Sequence, residues 1–187
     1  MRAPEALAVV LTAGMVAAAC ADGGPTVTQP ASSFPDRHSE LSTQISGDPG
    51  VSGGYVVQPL ARGDFPDDID MTFRIKLSSA TKVVAVQGPS DALAARIIFQ
   101  PGGSIGWHTH PGPVIVTVAS GALSIINASD CVHRVYAAGK AFIDPGQGNV
   151  HVGFNETDGE TVVYATFLDV PAGQPATIPA DNPGCSV

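Results

Sequence analysis

The sequence predicts an all-β protein, and three observations support this class. The chain has 21 glycines and 16 prolines in 187 residues, with only 14% charged residues, which is typical of a turn-rich β protein. From Tyr55 onward, short runs of apolar and β-branched residues alternate with turn signals about every ten residues. No stretch longer than a turn or two shows helical periodicity. Short strands in this number form a sandwich or a barrel.

The predicted strands follow one another between turns rich in glycine, proline and polar residues. In chain order they are Phe73–Leu77, Lys82–Val86, Leu93–Gln100, Trp107–His110, Val114–Val118, Ala122–Asn127, Val132–Tyr136, Ala141–Ile143, Val150–Phe154 and Thr161–Asp169. Pro101-Gly102-Gly103 ends the third strand, and Asp144-Pro145-Gly146 ends the eighth. Thr157-Asp158-Gly159 gives a hairpin turn before the last strand. We find no internal repeat.

The N-terminus has the pattern of an export signal. Ala6–Ala19 is an apolar run of fourteen residues after a single arginine, too short to span a bilayer and typical of a secretory signal peptide over residues 1–19. The small residues before Cys20 resemble a bacterial lipobox, in which Cys20 would be the lipid anchor. The alternative is plain secretion after cleavage near Ala19. We therefore expect an exported bacterial protein, either a cell-envelope lipoprotein or a secreted protein, with no other membrane contact.

Composition divides the rest of the chain into two parts. Residues 20–54 are rich in proline, serine, threonine and glycine and lack apolar periodicity, which predicts a disordered, flexible tether. Residues 55–187 are expected to form one β-barrel domain. The formal net charge is −8, and the nine lysines and arginines are scattered, so a nucleic acid is an unexpected partner.

The remaining two cysteines, Cys131 and Cys185, are an even pair. In the oxidising compartment to which an exported chain goes, such a pair predicts a disulfide. The alternative is two free thiols. Neither cysteine has a second cysteine at metal-ligand spacing, so no thiolate metal site is predicted.

Three histidines form the most informative pattern. His108 and His110 lie two residues apart in a predicted strand, so both side chains point to one face. His151 is returned by a later strand. Neutral imidazole is the commonest protein metal ligand, and three such ligands leave coordination positions open for substrate, water or oxygen. The alternative is three buried histidines satisfied by hydrogen bonds alone.

At these residues the chain resembles the cupin superfamily. Its first motif matches at Gly102, His108, His110 and Gly121, and its second matches at Gly139, Pro145, Gly148, His151 and Asn155, with one extra residue after Pro145. The resemblance covers roughly residues 55–175 and implies a jelly-roll β-barrel (a double-stranded β-helix) with one divalent metal ion held inside by the three histidines. The metal would be Fe, Mn, Zn, Cu or Ni, since imidazole ligands do not choose among them.

One position departs from the cupin pattern. Val114 stands where the first motif has its glutamate. Thiol dioxygenases and acetylacetone-type diketone dioxygenases of this superfamily are similar in using three histidines and no carboxylate. Three neutral ligands leave a divalent ion its full charge, which favours a small anionic organic substrate and a metal-dependent oxygenase activity. Losing the carboxylate also weakens metal affinity, so a non-catalytic domain that binds or senses a small ligand, with weak or no metal, is the second hypothesis.

Several other residues are candidates for supporting roles. Val114 and Val116 are expected to line the pocket, or to be ordinary core. Gln147 and Asn149 precede His151, where they would line the pocket and hydrogen-bond to a ligand or a histidine, or only form a turn. Trp107 is out of phase with the histidines, which predicts packing outside the barrel or at a homodimer interface.

Three further side chains could have a role in the site or lie outside it. Arg96 would be either a clamp for a substrate anion or a partner in a surface ion pair. Tyr164 would either donate a hydrogen bond in the site or pack in the core. His133 lies in a polar run and is expected at the surface.

Overall fold

The computed structural model describes residues 54–77 and 80–187, and it confirms the all-β class. Its strands are β1 (Tyr55–Asp64), β2 (Asp70–Lys76), β3 (Thr81–Gln87), β4 (Asp91–Phe99), β5 (Ser104–Thr109), β6 (Val114–Ser120), β7 (Ala122–Asn127), β8 (His133–Ala137), β9 (Ala141–Asp144), β10 (His151–Phe154), β11 (Thr161–Val170) and β12 (Ile178–Pro179). No helix long and apolar enough to cross a membrane occurs in this part of the chain. The predicted signal peptide, Cys20 and the tether up to residue 53 lie outside the described residues.

Two five-stranded antiparallel sheets form the jelly-roll barrel. One sheet has the order β1-β4-β11-β6-β9 and the other has the order β12-β5-β10-β7-β8. Strands β2 and β3 pair only with each other and form a separate antiparallel hairpin. Most neighbours in the two large sheets are far apart in sequence, as a jelly roll requires.

The barrel core follows from alternation along the strands. In β4, buried residues at every second position (Leu93, Ala95, Ile97 and Phe99) face the interior. Strand β6 does the same with its valines at 114, 116 and 118. These side chains join inward residues of β7 and β11 in one apolar cluster between the sheets. Burial of this cluster is the main favourable term for the fold.

Strand β1 is an element that the sequence pattern did not reveal. It lies at the edge of its sheet and pairs with β4 from Tyr55↔Phe99 to Asp64↔Asp91. The register shifts between Pro59 and Ala61, which interrupts the alternation that marks a strand in a sequence. A proline is tolerated there because β1 is an edge strand.

The C-terminal segment, residues 171–187, runs along the edge of the β5 sheet and ends with Cys185 packed on the outer face of that sheet, and we call it the C-terminal strap. Its strand β12 pairs with β5, with Pro179 opposite His108. The predicted disulfide between Cys131 and Cys185 is present, with the two Cα atoms 5.3 Å apart. The disulfide therefore fixes the end of the strap to the β7–β8 connection.

Candidate metal centre

Adjacent strands bring the three motif histidines together. His151 on β10 lies directly opposite His108 on β5, and His110 follows the end of β5. All three side chains are buried, and one ring nitrogen from each lies within 4.8 Å of the others. The ring centroids of His108 and His151 are 4.3 Å apart. Three imidazoles at these distances form a donor set that can hold one metal ion.

Each ring has an acceptor near its Nδ1 atom. Nδ1 of His108 lies 2.8 Å from the Gly106 carbonyl oxygen, and Nδ1 of His110 lies 2.7 Å from the Ala176 carbonyl oxygen. Nδ1 of His151 has the Asn149 carbonyl oxygen as its hydrogen-bond acceptor at 3.5 Å and also lies 3.2 Å from Asp144 Oδ2. A neutral imidazole that donates from Nδ1 keeps the lone pair of Nε2 free for a metal. The surroundings therefore select one tautomer at all three positions.

Burial keeps the three rings neutral. Burial, and to a lesser extent the neighbouring imidazole, lowers the pKa of His108 and the pKa of His151 to about 3. The pKa of His110 falls to about 4, again mainly through burial. A metal competes with protons for the same lone pairs, so rings that are neutral at pH 7 are ready to bind without releasing protons.

Asp144 is the one carboxylate beside the histidines in the described part of the chain. It ends β9 and pairs across the sheet with Val114, the residue that stands in the glutamate position of the cupin motif. The Asp144 side chain is buried and accepts hydrogen bonds from the Gly146 amide at 2.7 Å and from Asn149 Nδ2 at 2.7 Å. Burial raises its pKa, while nearby His110 and these donors act in the opposite direction.

The sequence analysis missed Asp144 because the residue reads as the first position of an Asp-Pro-Gly turn. Its role depends on the pairing of β6 with β9, which no local pattern encodes. Asn149 was predicted either to hydrogen-bond in the site or to form a turn. In the structure its side chain donates to Asp144 Oδ2 at 2.7 Å, and its carbonyl oxygen is the acceptor 3.5 Å from His151 Nδ1.

Gln147 does not line the histidine cavity, contrary to our prediction. It is exposed and has a positive φ of 47° between Gly146 and Gly148. Its side chain turns outward and donates to the Ala85 carbonyl oxygen on β3 at 2.9 Å. Only its main chain serves the site, since its amide donates to the His110 carbonyl oxygen at 2.8 Å.

Gly146 explains how closely the two histidine-bearing loops approach. A side chain at this position would overlap the Gly112 carbonyl group, and the φ of 58° is one that glycine adopts readily. The loop before His151 therefore packs against the loop after His110, backbone to backbone. Lys82 Nζ fixes the same loop from outside by donating to the carbonyl oxygens of Gly146 and Gln147 at 2.7 and 3.0 Å.

Val114 and Val116 line the cavity that the histidines face. This histidine cavity has a volume of about 40 Å³, and most of its wall is apolar, with Phe99, Phe142 and Phe167 among the lining residues. A space of this size holds an ion with one or two small groups. Val114 is 1% exposed and brings no ligand atom, so the donor set consists of the imidazoles alone.

The outward positions of the same strands lie away from the cavity. Trp107 is buried outside the barrel, where it packs with Val152, Phe154 and Cys185 under the C-terminal strap. Packing outside the barrel was one of the two environments predicted for this residue.

Neither Arg96 nor Tyr164 reaches the site. Arg96 lies on the outer face of β4, as predicted, but it donates to the uncharged Gln58 Oε1 at 2.9 Å and forms no ion pair with the described residues. Tyr164 is paired with it across the sheet and is 45% exposed, so it takes neither of its predicted roles. His133 is at the surface, as predicted, 2.8 Å from Glu156.

Comparison with known proteins agrees with the motifs. The family model Cupin_2, described as a cupin domain, matches residues 95–170. No curated protein matches the chain. Three similar solved structures are a cupin-like protein from Thermotoga maritima, the Cupin_2 domain of an XRE family transcriptional regulator from Enterobacter cloacae, and an oxalate oxidase.

All three similarities are distant. Identity to the Thermotoga protein is 25% over 42% of this chain and 58% of that one, with a TM-score of 0.40. Identity to the Enterobacter domain is 19% over 60% of this chain and 94% of that one, with a TM-score of 0.39. Identity to oxalate oxidase is 21% over 74% of this chain and 61% of that one, with a TM-score of 0.46. The chain therefore spans less than two thirds of the length of the Thermotoga protein and of the oxidase.

Proposed function

Because residues 95–170 place this chain in the cupin superfamily, we propose that its barrel binds one divalent metal ion through His108, His110 and His151. The observation that carries the proposal is the shared arrangement of the three rings. Each is buried and neutral, and each has an acceptor at Nδ1, so that Nε2 is the free donor. Histidines that were merely satisfied core residues would not need three Nε2 lone pairs in one apolar cavity.

We further propose that the bound metal serves a metal-dependent oxidoreductase, of the oxygenase type, with a small anionic organic substrate. When bound, the ion would supply Lewis acidity and, if it is iron, manganese or copper, a change of redox state. Three imidazoles add no charge to the ion, so the centre keeps a net positive charge that attracts an anion. Val114 and the phenylalanines make the cavity wall apolar, and the lower local dielectric strengthens that attraction.

Export is part of the same proposal. The disulfide between Cys131 and Cys185 supports it, because such bonds persist in oxidising compartments. Mass spectrometry of the mature N-terminus tests the anchor. A diacylglyceryl group on Cys20 is expected for a lipoprotein, and an unmodified terminus near Ala21 would show plain secretion instead.

A second candidate function is a non-catalytic domain that binds or senses a small ligand. Val114 favours it, since losing the motif glutamate removes an anionic metal ligand. The outward positions of Arg96 and Tyr164 also favour it, because they leave the cavity without those two candidate acid or anchor groups. Metal stoichiometry and turnover separate the two candidates.

Elemental analysis of the purified protein tests the metal site. We expect about one equivalent of a first-row divalent metal in the parent, and less than a tenth of that in His108→Ala and His151→Ala. His133→Ala is the matched control, because this histidine is at the surface and outside the cavity. A parent that carries no metal and cannot be loaded with any first-row ion would contradict the metal site.

Oxygen consumption by the loaded protein tests the activity. The substrates are a panel of small thiols, enols, diketones and organic acids. Consumption that disappears in His151→Ala and remains in His133→Ala supports the oxygenase. Stoichiometric metal without consumption of oxygen by any of these compounds would favour the binding or sensing domain.

A further inference from the structure

A second, larger space adjoins the histidine cavity. It lies between the β2 strand of the hairpin and the β7, β8 and β9 region of the barrel, and we call it the outer groove. The groove has a volume of about 460 Å³ and shares Ile125, Phe142 and Asp144 with the histidine cavity. The two spaces are therefore separated by the same few side chains.

Because the two spaces differ in volume, they suit different parts of a ligand. The histidine cavity, at about 40 Å³, has room for an ion with one or two small groups but not for the rest of an organic ligand. Small-molecule sites in proteins usually have volumes of about 300–1,000 Å³, and the outer groove is in this range. A ligand with one end at the histidines needs further space for its other atoms, and the groove is the adjoining space that is large enough for them.

The groove is unusually rich in cations for this chain. Three of the nine lysines and arginines line it, namely Arg74, Lys76 and Arg134, against two of the seventeen acidic residues, Asp130 and Asp144. Asp130 is ion-paired, with Arg134 Nη2 2.6 Å from its Oδ2, and Asp144 is buried and accepts hydrogen bonds from the Gly146 amide and Asn149 Nδ2. The net charge of the wall is positive, whereas the chain as a whole carries −8.

Arg74 and Lys76 are the cations that remain available. They lie two residues apart on β2, so both side chains are on the same face of the strand. Both are exposed, and in the described part of the chain neither forms an ion pair or a side-chain hydrogen bond. Cations held at one wall of a concave site attract and orient anionic ligands.

We propose that the outer groove binds an organic acid with a second anionic group, and that Arg74 and Lys76 pair with that second group. The ligand class is a small dianion, either a dicarboxylate or a carboxylate with a phosphonate or phosphate at its other end. That its first anionic group faces the histidines rests on the proposed metal site. The preference of the groove for the second anion rests on the groove alone.

Isothermal titration calorimetry of the full chain tests this proposal. The protein is used both loaded with metal and stripped with EDTA, at low ionic strength. The probes are succinate, glutarate, adipate and 3-phosphonopropionate, with butyrate as the monoanion. We expect at least one dianion to bind roughly three- to thirty-fold more tightly than butyrate, as two partly exposed ion pairs would give.

The double variant Arg74→Gln/Lys76→Gln should remove this preference while butyrate affinity and metal content stay as in the parent. Arg96→Gln/Lys140→Gln is the matched control, since neither of these cations lines the groove. The preference should also weaken several-fold at 0.5 M salt. The relative affinities of the phosphonate and the dicarboxylates then show which second anion the groove takes.

The outcomes keep the two proposals apart. Dianions that bind no better than butyrate, no binding of any probe to either form, or a preference that survives the double variant would overturn the groove proposal. A preference lost equally in the control pair would also overturn it. A parent that takes up no metal but prefers dianions after EDTA treatment would instead overturn the metal site and leave the groove proposal supported.

Discussion

The two faces of the β5–β10 strand pair are built in opposite ways. The face inside the barrel carries His108 and His151, two polar rings in an apolar cavity. The face outside the barrel carries Trp107 and Val152, two apolar side chains where a barrel would usually meet water. Both faces are buried, but the inner one is covered by the opposite sheet and the outer one by the C-terminal strap.

This difference between the two faces separates the residues that stabilise the strand pair from the residues of the candidate metal site. Burying imidazoles costs free energy, which hydrogen bonds at Nδ1 offset only in part. Burying Trp107 and Val152 is favourable. The strap therefore stabilises a strand pair whose inner face is destabilising, and the barrel can keep a polar site that its core alone would not favour. Four predictions test this division between the faces.

The largest expected effect is the response of the inner face to acid. The pKa values of the three histidines are lowered from 6.5 to about 3 or 4 in the folded protein. Below pH 6.5 the unfolded chain therefore binds protons that the folded protein does not. The free energy of unfolding is highest above pH 6.5 and decreases as the pH falls towards 3. At pH 5 the loss would be about 2 kcal/mol for each histidine. Urea unfolding of metal-free protein between pH 7.5 and 5 measures it.

The variant His108→Gln/His151→Gln should lose most of this pH dependence, because only His110 remains of the three rings. A free energy of unfolding that is flat from pH 7.5 to 5 in the parent would show that the inner face does not carry the cost described here.

The outer face should dominate stability at neutral pH. Trp107→Ala leaves a large cavity under the strap and is expected to lower the free energy of unfolding by about 3 to 5 kcal/mol. Metal content should stay at the parent level, because this side chain points away from the histidines. Val135→Ala is the control: that valine is 59% exposed, and its loss should change stability by less than about 0.5 kcal/mol. A Trp107→Ala variant that lost its metal but kept its stability would contradict the assignment of stability to the outer face and of metal binding to the inner face.

Releasing the strap should have a somewhat smaller effect. Replacing both cysteines, in Cys131→Ser/Cys185→Ser, opens a loop that spans 54 residues and is expected to cost about 2 to 4 kcal/mol. Thermal unfolding followed by circular dichroism measures it, with the parent under reducing conditions as a comparison. A melting temperature equal to that of the oxidised parent would mean that the strap holds the outer face without the disulfide.

The smallest expected effect concerns the support of a single ligand. Asp144→Asn removes the charge 3.2 Å from His151 Nδ1 and should weaken metal affinity about 10- to 100-fold. Competition with a chelating dye measures the affinity. Asp158→Asn, at the exposed hairpin turn, should leave it unchanged. An unchanged affinity in Asp144→Asn would mean that the carboxylate fixes the loop and not the imidazole.

What the sequence could predict depended on how local each feature is. His108 and His110 are two residues apart, so strand alternation alone places them on one face, and the motif spacing adds His151. Asp144 depends on the pairing of β6 with β9, and sequence spacing does not show that register. Gln147 was misplaced because its side chain is fixed by an outward contact with Ala85, on a hairpin outside both motifs.

The Ala176 carbonyl group has no sequence signature at all, since any residue could supply it. Its contact with His110 sets an order of assembly for the site. The partner of His108, Gly106, is two residues away and is in place as soon as β5 forms. The partner of His110 is 66 residues away, so this contact closes a long loop and is expected to form late in folding. Until it forms, the His110 ring is free to expose either nitrogen. The third donor of the proposed metal site is therefore expected to be completed last, which would make metal capture a late event in folding.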